Sequence, residues 1–489
     1  MEDNIAEKIT PQGEMDLEEF RRQGHAIVDW VADYLAHPDD YPVLSRVQPG
    51  QVAEQLAPGP PEQSEPLDEI LADFREIILP GITHWNHPGF MAYFGISGSG
   101  PGILGEWLSA ALNVNAMLWR TSPAATELEE VTLDWLRQLL GLPAEFRGII
   151  SDTASISSML ALAAAREALD MDIRRRGLAG RPDVPRLRLY VSEQTHSSVE
   201  KGAITLGIGQ EGVVKIPVDE AFRLDVAALQ QAISADQQAG RLPFCVVATV
   251  GTTSTTSVDP VAEIAAVCRQ HGLWLHVDGA YGGSAAIVPE MRWVLDGVDQ
   301  ADSFVVNPHK WLFTPLDCSA FYVRDPAMLQ RAFSLVPDYL QTSETGVTNY
   351  MDWGVQLGRR FRALKLWLIM RHFGREGLVA RLREHIRLGQ LLAEWIDADP
   401  DFQRMAPAPF STVCFRYRPP EEVQTEEEIE QRNEAIVAEV NQSGEIFISP
   451  TRLNGRYAIR AAIGNIRTDE EMVRRAWTLI RQAAVRLNG

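Results

Sequence analysis

Four short apolar runs in the middle of the chain each end in side chains that can do chemistry. Leu187–Val191 is followed by Thr195-His196-Ser197-Ser198, and Phe244–Val250 by Gly251-Thr252-Thr253. Leu273–Val277 runs into Asp278 and then Gly279-Ala280-Tyr281-Gly282-Gly283-Ser284, and Ser303–Val306 into Asn307-Pro308-His309-Lys310-Trp311. Polar strand ends are common. Four that supply an acid, two histidines and a lysine point to one convergent site, because open α/β sheets bind ligands beyond the carboxyl ends of their strands. Lys310, beside Trp311 and Leu312, should lose water, and a desolvated amine has a lowered pKa and becomes a nucleophile. The bland reading of such a lysine is a snorkelling surface residue. Asp278 closes the run LWLHV, where a carboxylate is expensive to bury without a cation. A protonated pyridine nitrogen is such a cation, and the pair keeps the ring an electron sink. A lysine for an imine, an aspartate for a ring nitrogen, and hydroxyls with backbone N–H groups for a phosphate together specify pyridoxal phosphate.

The elements that must position these residues alternate in kind. Between the runs lie DVAALQQAISADQQAG and VAEIAAVCRQHG, helix-like stretches, the second stopped by Gly272. Strand–helix–strand alternation from about residue 146 to 310 predicts a mostly parallel sheet covered on both faces. Upstream, Asp16 and Glu19 form a D-x-x-E cap ahead of a helix with Phe20, Ile27, Val31 and Tyr34 on one face. The breaker-rich QLAPGPPEQSEP separates it from a second helix around 67–78, and the apolar stripe of this hairpin must lie on something else. After about 380 the pattern is helix, strand (STVCFRYR), acidic helix (EEEIEQRNEAIVAEV), two short strands and a last helix. The predicted organisation is therefore a helical segment over 1–95 that packs on a partner subunit, a large α/β cofactor domain over 96–375, and a small α+β domain over 376–489. Arg324 to Trp353 has poor periodicity and polar turns, and is long enough for a lid.

HVDGAYGG followed by Lys310 in NPHKW, with THSS upstream, resembles the group II pyridoxal-phosphate decarboxylases, and within them the aromatic L-amino acid decarboxylases. GITHWNHPGFMAYF, SPAATELE and LGRRFRALKLW carry the resemblance through nearly the whole chain. It implies the aspartate-aminotransferase-like fold (fold type I) and an intertwined homodimer. By the same resemblance Lys310 carries the cofactor as an imine, Asp278 pairs with the pyridine nitrogen, and His196 stacks on the ring and helps place the substrate carboxylate. Thr253 and Ala280 would flank the ring. Thr153, Ala154, Ser155, Ser303, Asn307 and His309 match phosphate-cradle positions, although turn and cap chemistry favours the same residue types. Ser151-Asp152 departs from the pattern, standing where glycines are common, and Asp152 is expected to point away from a phosphate.

The resemblance also bears on product and substrate. Tyr339, in LVPDYLQT, matches the lid tyrosine that delivers a proton after CO2 is lost. Relatives with phenylalanine there are aldehyde synthases, so Tyr339 favours the amine. Trp85, Tyr93, Phe94 and Ile96 would wall the substrate pocket, with Asn115 and Met117 projecting from the partner chain. Gly358 matches a position where glycine accompanies indolic substrates. The expected reaction is decarboxylation of an aromatic L-amino acid, tryptophan first, with phenylalanine and tyrosine as competitors. An aldehyde synthase is one alternative. A decarboxylase of acidic amino acids is another, with Arg120 as its clamp and Arg359 structural. An aminotransferase and a silent scaffold stand further off.

Composition bounds the rest. The 489 residues carry 45 basic and 66 acidic side chains, a formal charge of −21, without a basic run, which disfavours nucleic acid as a partner. No stretch approaches the roughly 18 apolar residues that span a bilayer, so no membrane partner is expected. MEDNIAEKITPQGEMDLEEF has no apolar core of an export signal, so a cytoplasmic location is expected. Cys245, Cys268, Cys318 and Cys414 are scattered, giving neither a disulfide framework nor a zinc site. Gly100, Gly102 and Gly105 satisfy G-x-G-x-x-G but lack the following strand with its acid. His84 and His87 lack a third ligand, so packing is the expected role and no metal is assigned.

Overall fold

The computed structural model describes residues 14–335, 344–420 and 425–487. Seven strands form its larger sheet: β1 (Arg147–Ser151), β2 (Leu187–Ser192), β3 (Val213–Ile216), β4 (Leu242–Thr249), β5 (Trp274–Asp278), β6 (Ser303–Val306) and β7 (Ser319–Val323). Their order is β1-β7-β6-β5-β4-β2-β3. The run from β3 through β2, β4 and β5 to β6 is parallel, while β7 is antiparallel to both β6 and β1. Parallel strands covered on both faces have no polar side, which is why β4 is buried from Pro243 to Thr249 and reads as a continuous apolar run.

The crossover helices fall where the sequence places them. Asp225 starts Val226–Gln238 by accepting the N–H groups of Ala227 and Ala228, and Gly272, at φ +64°, stops Val261–His271. The apolar-run signal passed over β1, β3 and β7. β1 opens on Arg147-Gly148, β3 is a four-residue edge strand with one buried position, and β7 opens on Ser319-Ala320. Part of the expected lid is regular: Pro326–Phe333 is a helix capped by Asp325, and its amphipathic stripe is simply too short to show periodicity.

A second, antiparallel sheet of β8 (Phe402–Arg404), β9 (Thr412–Tyr417), β10 (Ser449–Leu453) and β11 (Arg456–Ala462) has the order β10-β11-β9-β8. The helices Glu426–Gln442 and Glu470–Arg486 pack on it through Ile436, Val473 and Ile480. The long helix Ala363–Ala398, interrupted at Gly374, serves both sheets. Leu366, Leu378 and Leu382 enter the large core, and Leu388, Leu392 and Ile396 the small one.

Two sequence features find structural explanations here. The glycines of G-x-G-x-x-G lie in the helix Gly100–Leu112, and the second and third permit close packing: a Cβ at Gly102 would stand 2.4 Å from Pro315 Cδ, and one at Gly105 2.6 Å from Lys365 Cα. The N-terminal helix Leu17–Ala36 is capped by Asp16 as predicted, yet Leu17, Phe20 and Ile27 are exposed along it. Leu104, Trp107, Leu108 and Leu112 on the helix beneath are exposed as well. Tyr34 bonds His84 Nδ1 at 2.9 Å and His87 Nδ1 accepts the Gly89 N–H, so both histidines are engaged in packing the N-terminal segment. Among the described residues no helix is long and apolar enough to cross a membrane.

Candidate active site

The carboxyl ends of β4, β5 and β6 open into a cavity of about 200 Å3. Lys310 lies on the single helical turn Pro308–Trp311 that follows β6, and lines this cavity with Asp278, the last residue of β5. Burial holds the Lys310 amine below the ordinary lysine value; Asp278 opposes this and Arg460 adds to it. Asp278 is buried, and its Oδ1 accepts the Ala280 N–H at 3.0 Å. Among the described residues it forms no ion pair with a protein cation. A buried carboxylate in that position is complete only with a positively charged ligand group.

Two histidines line the cavity in a defined protonation state. His309 Nδ1 accepts the Cys318 N–H at 2.9 Å, which leaves Nε2 as the protonated nitrogen, and burial pushes its pKa down to about 3. His196 Nδ1 accepts the Ser198 N–H at 3.2 Å and sits 2.8 Å from Ser198 Oγ, so its Nε2 is also the donor. Burial lowers the pKa of His196 too, with Lys310 adding to the effect. Neutral imidazoles with one N–H each can donate to an anion without adding charge beside the lysine amine.

The phosphate-cradle residues converge on the same cavity, with one exception. Thr153 precedes the helix Ala154–Glu167 but makes no side-chain cap, leaving the N–H groups of Ala154 and Ser155 without intrahelical acceptors. A 14-residue helix with an open first turn is a ready anion site. Thr153, Ala154, Ser155, Asn307 and His309 all line the cavity, as do Thr253 and Ala280. Among the described residues the buried Asn307 Oδ1 and Thr249 Oγ1 have no partner, as expected of a lining that awaits a polar ligand. Asp152 does not line the cavity, but its carboxylate accepts from the N–H and the hydroxyl of Thr153 and from Gln356 Nε2. Ser303 is the exception. It opens β6 instead of closing it, about 13 Å of extended chain before Asn307, and bonds Trp274 Nε1 and His276 Nδ1. Ser303 is thus a support beneath the strand and no part of the cradle.

The substrate-pocket residues do not gather within one chain. Phe94 lines the cavity and stacks on Tyr281 at 3.9 Å. Trp85 and Tyr93 stack on each other near Phe447, and Tyr93 is exposed. Ile96 is partly buried and does not line the cavity. Asn115, Met117 and Gly358 form a separate cluster: Asn115 Nδ2 lies 3.4 Å from Met117 Sδ and 3.9 Å from the Cβ position of Gly358. Arg120 is exposed and stands 4.0 Å from Glu344, away from the cavity. Arg359 is structural, paired with the buried Glu129 at 2.6 Å. Tyr339 lies outside the described residues. Ser198, Thr249 and Tyr281 also line the cavity without having been assigned roles, although each adjoins a strand tail already singled out.

A lysine amine and a buried aspartate at the strand ends, beside an open helix N-terminus, define a fold type I pyridoxal-phosphate enzyme. Residues 49–418 match the pyridoxal-dependent decarboxylase conserved domain, and the chain belongs to that family. It is a pyridoxal-phosphate-dependent amino acid decarboxylase. Among curated relatives, phenylacetaldehyde synthase of Arabidopsis thaliana is 41% identical, over 99% of each chain. Tyrosine decarboxylase 4 of Petroselinum crispum is 42% identical over 99% of this chain and 97% of its own. The crystal structure of Oryza sativa TDC with PLP and tryptamine superposes with a TM-score of 0.93 at 37% identity, covering 97% of this chain and 99% of that one.

Proposed function

We propose that this enzyme decarboxylates an aromatic L-amino acid, tryptophan by preference over phenylalanine and tyrosine, to the arylalkylamine and CO2. The observation that carries the reaction is the presence of Lys310 and Asp278 in one cavity, the amine depressed toward its neutral form and the acid without an ion-pair partner among the described residues. Pyridoxal phosphate, when bound, supplies an electron-poor ring that accepts the electron pair of the Cα–carboxylate bond. Lys310 holds its aldehyde carbon and Asp278 keeps its ring nitrogen protonated. Ala154 and Ser155 N–H, the Thr153 hydroxyl, Asn307 and His309 Nε2–H hold its phosphate. His196 would lie against the ring and offer Nε2–H to the substrate carboxylate, and Tyr339 would supply the proton for Cα.

Phe94 and Tyr281 make the cavity wall aromatic, and Arg120 does not line the cavity of its own chain. Gly358 leaves open space up to Asn115, which suits the larger indole ring. We place the enzyme in the cytoplasm as a homodimer. The exposed apolar stripes of Leu17–Ala36 and Gly100–Leu112 support the dimer, and a partner chain would bring Asn115, Met117 and Gly358 to the cavity. A second reading, oxidative conversion to the aldehyde, is favoured by the likeness to phenylacetaldehyde synthase.

The test is a panel of aromatic and acidic amino acids with CO2, amine, aldehyde and peroxide all measured. Tryptophan giving tryptamine without peroxide is expected, and a preference for glutamate or aspartate would sink the pocket argument. In parallel, the loaded enzyme should absorb near about 420 nm, and Lys310→Ala should abolish that band.

A further inference from the structure

Arg460 is a buried cation with no carboxylate. It sits in β11 of the small sheet, 4% exposed, and among the described residues no acid pairs with it. Nε donates to Ser254 O at 3.0 Å and Nη1 to Tyr93 O, while Nη2 has no acceptor among the described residues. Its guanidinium carbon lies 4.6 Å from the centroid of the Phe94 ring, and Lys310 Nζ lies 5.2 Å from the same centroid. One aromatic ring therefore serves two cations, one permanent and one titratable. An unpaired buried charge is unfavourable enough to ask what it does.

We propose that Arg460 is a positioning residue that counterweights Asp278: sharing the Phe94 ring with Lys310, it biases that amine toward the neutral form that captures a carbonyl cofactor. The inference rests on Lys310 being the cofactor-bearing lysine. Capture requires the nitrogen lone pair to attack the aldehyde carbon. A C–N bond forms, and the carbonyl oxygen leaves as water with both amine hydrogens; an ammonium has no lone pair with which to begin. The groups facing Lys310 divide cleanly. Asp278 from β5 favours the ammonium, and Arg460 from β11 disfavours it. His196 and His309 are held neutral by burial, and the Tyr281 hydroxyl is engaged with Ser411 at 2.9 Å. Arg460 thus lets the small domain set the reactivity of a lysine in the large one.

The experiment adds pyridoxal phosphate to cofactor-stripped, full-length enzyme across a pH series. Capture is followed by visible absorbance, and the adduct is fixed with borohydride and mapped by mass spectrometry. The two charges lie within about 10 Å of each other across the ring; at an effective dielectric near 20, removing one moves the midpoint by about one pH unit. Arg460→Gln should therefore raise the midpoint by about one unit and slow capture about tenfold below it, whereas Arg460→Lys should stay near wild type. A Gln variant with an unshifted midpoint, or a Lys variant shifted equally, overturns the proposal. Should the Gln variant fail to fold, a wild-type midpoint in the ordinary lysine range overturns it just as well. An adduct that maps away from Lys310 overturns the underlying reading of the site instead.

Discussion

Glu129→Ala should both destabilise the enzyme and loosen its cofactor, for reasons that can be followed atom by atom. Glu129 is 1% exposed, and its Oε1 accepts from Arg359 Nη2 at 2.6 Å and from the Ile150 N–H at 2.8 Å. Arg359 in turn donates to Ile150 O and Ala116 O, and stands 4.5 Å over the Tyr350 ring. Deleting the carboxylate strands a buried guanidinium and orphans the Ile150 N–H. Breaking one side of a buried pair costs about 3–5 kcal/mol, and an orphaned N–H about 1–3 kcal/mol. The two overlap in one side chain, and Arg359 keeps two carbonyls and a ring face, so a net loss of about 3–4 kcal/mol is expected. Ile150 precedes Ser151 at the end of β1, two residues before the loop reaches Thr153, so a loosened strand end displaces the open helix turn as well. Glu129→Gln keeps an acceptor oxygen and should lose about half as much. Chemical denaturation of the loaded enzyme, followed by tryptophan fluorescence, measures the first effect, and retention of pyridoxal phosphate through dialysis the second. A loss below about 1 kcal/mol for Glu129→Ala would refute the account of the pair, and a large loss with unchanged retention would refute the link to the cradle.

Two further predictions concern other groups. Asp259 is buried, its oxygens accepting the N–H groups of Leu224 and Thr249, and burial raises its pKa to about 6. The folded state then holds a proton that the unfolded chain has released, so the contribution of Asp259 is full below about pH 4 and lost as pH rises through 6. Relative to Asp259→Asn, the wild type should gain about 2–3 kcal/mol between pH 7 and pH 4, and parallel stability–pH curves for the two proteins would contradict this. Tyr339→Phe should shift product from amine toward aldehyde with peroxide, read by chromatography; an unchanged amine yield would remove the proton-delivery role.

What the sequence made legible was local. A strand and the residues just beyond it are contiguous, so Asp278, Lys310, His196 and His309 could be placed at one edge by reading where each apolar run stops. Ser303 entered the cradle through the resemblance and not through the strand ends; it opens the four-residue β6 at the end away from the cavity. The substrate residues were harder for a different reason. Asn115 and Met117 meet the Gly358-Arg359 segment from far along the chain, the Arg359 N–H bond to Asn115 spanning 244 positions, but none of the three pocket residues meets the cavity of its own chain.

The charged residues that hold the site together lay beyond local reading because their partners are distant. Arg460 reaches Tyr93 across 367 positions and Arg359 reaches Glu129 across 230, and no periodicity reports such a pairing. Yet each left a trace. Glu129 falls on the buried face of the helix Pro123–Leu140, in register with Ala125, Thr126, Thr132, Leu133 and Leu136. Arg460 interrupts the apolar stretch YAIRAAI at a position where every neighbour from Tyr457 to Ala462 is buried. A charge inside an otherwise apolar stripe has only two stable resolutions, a hidden partner or a hidden use. Glu129 resolves into the first, with Arg359. Arg460 reaches only backbone carbonyls and, among the described residues, no carboxylate, and the group that shares its ring is the lysine on which the cofactor depends.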